Sequence, residues 1–383
     1  MKKSYLMIAA AAAMLAACSS NDTFKEIANE NVLIGFESNY SAKQTKAEID
    51  INWFKTVDNA FGVYGWKHKE TSSDPLTVSL FSNEQVKFDG TVTPNDWTHT
   101  TVRYWDKSLV ADNVNQNGYY FYAYAPYSED AVSFVRTAES PATTGFTYNL
   151  GTQVVADASQ DATVDLCVAR VENTDYAHCH SHDNTINNTY AGHVSFVFNH
   201  VLSKLAFKVK SEGFENTYTV TLKELKVAFP SASNVKWTQT AKNADAGSIS
   251  YDNNSSVSTL QQPDENTTKT VVYSDNTGQA VTTSGQAITN AKQYIVTPNI
   301  LPVGQANSQK HNMLLEVKYE INYNDDANNP TIETQIATGS ASINFVQNYF
   351  YYLVVNIKPA KIEFDVESVQ GFTPAADETV DVQ

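Results

Sequence analysis

Cysteine is scarce in this chain, with three in 383 residues, and so low a count excludes a disulfide-dense scaffold. Long apolar runs are missing too. Crossing a bilayer takes roughly 20 consecutive apolar residues, and nothing beyond the first 17 approaches that. Basic clusters are absent, while the formal charge is −16. An acidic surface repels phosphate backbones, which excludes nucleic acid as a partner. No apolar pattern of helical period persists beyond about two turns, and no repeat of about 20–50 residues recurs. Catalytic signatures are lacking as well: there is no Gly-x-Ser-x-Gly, no His-Glu-x-x-His and no phosphate-cradling glycine loop. Paired carboxylates are common, but among 42 Asp and Glu they carry no information. The expectation is a protein that is not an enzyme and has no cofactor.

What is present begins at the first residue. Lys2 and Lys3 precede an apolar stretch over residues 5–15, which ends in Leu15-Ala16-Ala17-Cys18. At about 10 residues the stretch is too short to span a membrane and reads as an export leader. The last four residues resemble the bacterial lipobox, which makes residues 1–17 a lipoprotein signal peptide and Cys18 the lipidated residue. Outer-membrane lipid is then a partner through Cys18. Loss of the leader takes two lysines with it and brings the charge to about −18, leaving about 365 residues, enough for two domains.

The 21 Tyr and 18 Phe, with abundant Thr and Val, favour strands. Residues 32–36, 61–66, 102–105, 119–124 and 165–171 read as strands, as do 222–229, 314–323 and 362–366. Residues 343–357 are expected to form the longest. The run 118–126, Gly-Tyr-Tyr-Phe-Tyr-Ala-Tyr-Ala-Pro, has no polar face, so it is expected to be covered on both sides. In 202–210, Leu205, Phe207 and Val209 alternate with Lys204, Lys208 and Lys210, the pattern of a half-solvated antiparallel strand. Residues 241–262 and 275–291 read as loops. Many short strands with few helices imply an all-β sandwich architecture. The polar, histidine-rich loop at 173–192 is the natural division between two halves, the second being 193–383.

The sharpest polar cluster is His178-Cys179-His180-Ser181-His182, with His193 and His200 downstream. Its spacing matches no zinc motif, and no metal site is expected. Cys167 and Cys179 are candidates for a disulfide closing a loop of about a dozen residues, worth on the order of 3 kcal/mol; two free thiols in a polar loop are the alternative.

Several segments together resemble a known family. Arg103-Tyr104-Trp105-Asp106 and the aromatic run ending at Pro126 look like the N-terminal half of Bacteroidota fimbrillins, the type V pilus subunits made as lipoprotein precursors. Phe196-Val-Phe-Asn-His200-Val-Leu-Ser203-Lys204-Leu205 is similar to the family's Phe-x-His-x-Leu-Ser-Lys-Leu strand, and residues 349–357 and 362–369 resemble its closing strands. The resemblance implies two tandem transthyretin-like β-sandwich domains, 47–192 and 193–383, the latter with a short acidic tail. It implies a structural and adhesive subunit of a cell-surface pilus, or fimbrium, held first at the outer membrane by its lipid. A trypsin-like protease would cut between Lys46 and Ala47, where the family usually has arginine; Lys43 is a second basic residue beside that bond. Residues 18–46 would then be a tether plus a removable first strand at 32–36, and its loss would open a groove filled by donor-strand exchange with other pilus subunits. The alternative function is a surface glycan-binding lipoprotein, for which the aromatic run would have to present its rings on an exposed face.

Overall fold

A computed structural model of the chain describes residues 32–39, 51–56, 59–69, 76–90, 97–112, 117–135, 144–160, 162–180, 192–214, 217–240, 247–250, 260–298, 310–326, 328–359, 361–370 and 373–374. Apart from the short helices Ile51–Phe54 and Tyr176–His180, regular structure among these residues is all strand, arranged in several sheets. The all-β expectation holds.

The organising element is the strand Gly118–Ala125, in which every residue is buried. Successive side chains of a strand point to opposite faces, so this sequence supplies two cores at once. Tyr119, Phe121, Ala123 and Ala125 enter one cluster; Tyr120, Tyr122 and Tyr124 enter another. Its neighbour Ala60–Lys69 divides likewise, with Phe61 and Val63 on the first side and Tyr64 and Trp66 on the second. Buried phenols need partners, and these have them. Tyr64 donates to the Ala131 carbonyl at 2.6 Å, Tyr122 to Glu172 at 2.7 Å and Tyr124 to the Ser128 carbonyl at 2.8 Å.

These two strands lie at the centre of a six-stranded antiparallel sheet ordered Asn199–His200, Cys167–Thr174, Gly118–Ala125, Ala60–Lys69, Leu76–Phe88, Trp97–Thr98. One face is covered by a separate pair, Gly35–Asn39 and His193–Val197. Phe146, Tyr148, Leu150, Val235 and Trp237 belong to the second face's cluster. They come from a four-stranded sheet of Val132–Val135, Thr144–Gly151, Val235–Thr240 and Gly247–Ser250.

The remaining sheets enclose a third core. One has four strands: Thr270–Val281, Thr219–Ala228, His311–Asn322 and Ile332–Ile343. The other places Ser203–Ser211 between Tyr349–Ile357 and Tyr294–Val296. Leu205, Phe207 and Val209 point into this core, as their alternation predicts. The strand is not a simple antiparallel one, however. It runs parallel to Tyr349–Ile357 and antiparallel to Tyr294–Val296. Its lysines are not merely solvated: Lys208 pairs with Glu367, and Lys210 lies 3.1 Å from Asp365.

Several other expectations change. The cores do not divide at residue 192. Val194, Phe196 and Phe198 pack in the first cluster with Ile34 and Phe121. Strands are also exchanged across the expected boundary: Val235–Thr240 pairs with Thr144–Gly151, and Tyr294–Val296 with Val155–Asp157. Residues 343–357 are not one strand. Asn348 adopts φ 62° and donates its N–H to the Leu202 carbonyl at 3.0 Å, which separates Ile332–Ile343 from Tyr349–Ile357. Part of the expected loop 275–291 continues the strand Thr270–Val281. Residues 102–105 contribute an isolated bridge, Leu33 to Tyr104, in place of a strand.

Trp66 is 2% exposed, stacks with Tyr64 at a ring separation of 6.1 Å and meets Tyr122 edge-on at 5.5 Å. Trp66→Ala is expected to lower unfolding free energy by about 3–5 kcal/mol in urea titrations. Ile336→Ala, at an exposed position, should change it by less than about 0.5 kcal/mol.

Candidate functional site

The segment before the first helix is short, and its alternation is simple. Ile34 and Phe36 are 0% exposed, whereas Leu33 between the core and solvent is 49% exposed. From this pattern comes the strand Gly35–Asn39, preceded by residues 32–34, and the segment 32–39 as a whole meets two partners, each along a different part of its length. On one side it runs parallel to His193–Val197, with Gly35 opposite His193 and Phe36 opposite Val194. On the other, Ile34 donates to the Arg103 carbonyl at 2.9 Å and Trp105 donates to the Val32 carbonyl at 3.0 Å. Residues 32–39 thus fill a slot whose walls are residues 103–105, beside 32–34, and the His193–Val197 strand, beside 35–39.

Local chemistry fixes both walls. Trp105 donates its indole N–H to the Gly192 carbonyl at 2.8 Å, and Gly35 donates to that same carbonyl at 3.2 Å. Glu84 accepts the backbone N–H groups of Thr100 and Thr101 at 2.7 and 2.8 Å, and both hydroxyls. Burial works against that carboxylate, but these hydrogen bonds outweigh it and hold the Glu84 pKa below its ordinary value. Asp106 is held by Lys67 at 2.7 Å and donates its N–H to the Tyr119 hydroxyl at 2.7 Å. The slot floor is aromatic. The Phe36 ring lies 5.0 Å from Phe81, 5.9 Å from Phe121, 5.9 Å from Phe196 and 5.1 Å from His99.

Gly35 is required by close approach: a Cβ there would come within 2.5 Å of the His193 ring. Arg103 and Trp105, conspicuous in the sequence only as part of a resemblance, are the backbone partners of Ile34 and Val32, just before the first strand. Nothing in their spacing announced that role, because it depends on residues about 70 positions away meeting across the sheet.

The other expected site residues fare differently. Cys18, Lys46 and Ala47 lie outside the described residues, as do Ser181, His182 and the acidic tail after residue 374. Cys167 and Cys179 are free thiols, not a disulfide. Cys167 begins the strand Cys167–Thr174, while Cys179 sits 3.3 Å from the Thr174 hydroxyl at that strand's far end. Seven residues of strand separate those ends by about 23 Å, far beyond disulfide reach. The stretch holding His178 and Cys179 is helical, and Asp175 accepts the His178 N–H at 2.9 Å at its start. Cys167 faces His200 and Asp165 within the core. Both the Cys167 sulfur and an Asp165 oxygen lie on Nδ1 of His200, at 3.2 and 2.9 Å. A nucleophile relay needs the base and its orienting acid on opposite ring nitrogens, so this trio is not one. The aromatic run 119–124 is buried on both faces and offers no ring to a sugar.

Two buried histidines give the fold a pH dependence. Burial, with His99 adding to it, pushes His193 down to about 4, and burial pushes His311 down to about 3, from an ordinary 6.5. Above pH 6.5 neither the folded nor the unfolded chain protonates them. Below it the unfolded chain binds protons that the folded chain refuses, so stability drops as the pH is lowered. The ceiling is about 1.4 kcal/mol per pH unit for each ring. Urea midpoints should therefore drop between about pH 6.5 and 4.5, and His193→Gln should remove part of that slope. A flat profile over this window would contradict the assignment.

No family model matches the chain, and no curated protein does. Among solved structures it is similar to a fimbrial protein from Bacteroides vulgatus, at 18% identity and a TM-score of 0.47, covering 88% of this chain and 98% of that one. It is similar also to a candidate cell adhesion protein from Bacteroides uniformis, at 15% identity and a TM-score of 0.43, covering 89% and 99%. A third is a fimbrial assembly protein from Parabacteroides distasonis, at 10% identity and a TM-score of 0.31, covering 82% and 88%.

Proposed function

We propose that this chain is a structural and adhesive subunit of a cell-surface pilus, exported as a lipoprotein through Cys18 and assembled by exchange of its first strand. The observation that carries the reading is the seating of residues 32–39. They precede the rest of the fold in sequence, and they place Ile34 and Phe36 in the core of a slot with backbone partners on either side. Lys46 follows this strand and precedes the helix Ile51–Phe54. Cleavage there by a trypsin-like protease leaves the strand held by non-covalent contacts alone.

Magnitudes decide whether that hold is transient. Two fully buried apolar side chains contribute about 1.5–3 kcal/mol each, and each backbone hydrogen bond about 1 kcal/mol net. The sum is a large part of the about 5–15 kcal/mol that stabilises a typical domain. A cut strand therefore does not simply drift away. Its replacement requires a competing segment that supplies the same alternation and backbone bonds, which is what a neighbouring subunit's extended segment would do. The lipid delivers the precursor to the outer membrane, and the cut separates subunit from lipid.

Limited trypsin treatment tests the reading. The cut chain should assemble into ladders that survive SDS without heating, and a Lys43→Gln, Lys46→Gln chain should remain monomeric under the same treatment. Ladders from the double variant would count against cleavage as the trigger. A cut chain that stays monomeric and is retained by a polysaccharide gel would favour the glycan-binding alternative.

A further inference from the structure

The interior holds a set of donors that the pilus reading leaves unused. Asp165 lies two residues before Cys167, the first residue of the strand Cys167–Thr174. His200 lies directly opposite Cys167 in the antiparallel pairing of Asn199–His200 with Cys167–Thr174. Their exposures are 7%, 0% and 2%. One carboxylate oxygen, one sulfur and one imidazole nitrogen converge, all within 4.8 Å of one another.

We infer that Asp165, Cys167 and His200 form a binding site for one zinc-class divalent ion. The donor set is chemically apt: thiolate, imidazole and carboxylate are the three ligand types that zinc takes, and three protein ligands leave one position of the tetrahedron open. Two of the three ligand separations are close to what such an ion needs. An ion at about 2.3 Å from sulfur and about 2.0 Å from nitrogen and oxygen sets tetrahedral ligands about 3.6 Å (S to N) and about 3.3 Å (N to O) apart. The observed separations are 3.2 and 2.9 Å. Each must open by only a few tenths of an ångström.

Two further features favour the ion. The sulfur and the carboxylate oxygen both approach the single ring atom Nδ1, and one proton on that atom cannot serve both in full. A metal at the centre satisfies all three donors together. Charge balance agrees: the ion takes the place of the Cys167 proton, which passes to solvent, while His200 binds as the neutral ring through Nδ1 with its proton on Nε2. Thiolate and carboxylate together cancel the two positive charges, and a neutral site is what a buried position tolerates. The bound ion would fasten the Cys167–Thr174 strand to residues 199–200, just beyond the His193–Val197 wall of the slot.

The test uses the full chain carrying Cys18→Ser and Cys179→Ser, in which Cys167 is the only remaining thiol. Reduced and freed of metal, it is titrated with cobalt(II) and then with zinc(II). The expected result is one cobalt per chain with a thiolate-to-cobalt charge-transfer band, erased by one equivalent of zinc, and a thermal midpoint that rises with zinc. X-ray absorption of the zinc-loaded chain should show one sulfur at about 2.3 Å and lighter ligands at about 2.0 Å. That measurement leaves all three donors in place, so it does not depend on a buried variant folding. A folded chain that takes up no cobalt, or a zinc shell of nitrogen and oxygen alone, would overturn the inference and leave the trio a hydrogen-bonded cluster.

Discussion

Everything in the N-terminal part follows from one constraint, a central strand with no face that water can touch. Gly118–Ala125 presents Tyr119 and Phe121 to one side and Tyr120, Tyr122 and Tyr124 to the other. A sheet built around it needs two covers, because exposing either aromatic face would forfeit several kcal/mol. The two covers differ in kind. One is a four-stranded sheet drawn from both halves of the chain. The other is a pair of strands, one of which, Gly35–Asn39, is the first in the described chain. The covering layer therefore includes an element that can be parted from the rest by one cut in sequence, and the slot it occupies is lined with the side chains that most need covering.

Much of this was legible beforehand, for identifiable reasons. The aromatic run has no polar position, so its double burial followed from composition alone. Leu205, Phe207 and Val209 follow strict alternation, so their core face was evident. What alternation cannot express is the partner. The parallel pairing of Ser203–Ser211 with Tyr349–Ile357 joins residues 146 positions apart, and strand exchange across residue 192 leaves no local trace. Phe196 and Phe198 looked like the start of a second half because a polar loop precedes them, yet their rings pack against Phe61 of the first. Asn348 broke an apolar stretch because its left-handed backbone ends a strand whatever the neighbouring hydrophobicity.

The site was less legible than the fold. The first strand itself could be read from Ile34 and Phe36, but not its walls. Arg103 and Trp105 contribute backbone atoms, which carry no residue signature. The cysteines misled for a related reason. Cys167 and Cys179 are a dozen residues apart in sequence, but an intervening extended strand holds them apart in space. Cys167 instead meets His200 through register across the sheet, and Asp165 completes the set. The histidine-rich loop matches no metal motif, and register across the sheet brings Asp165, Cys167 and His200 together elsewhere.

The first strand is proposed to be a replaceable part of the fold, and the lipid at Cys18 to serve delivery. The most direct test is the mature N-terminus of the protein recovered from the cell surface, read by mass spectrometry. Ala47 is expected as the first residue, with residues 18–46 gone from the assembled material. A chain that still begins at lipidated Cys18 would contradict that proposal and make the lipid a permanent anchor.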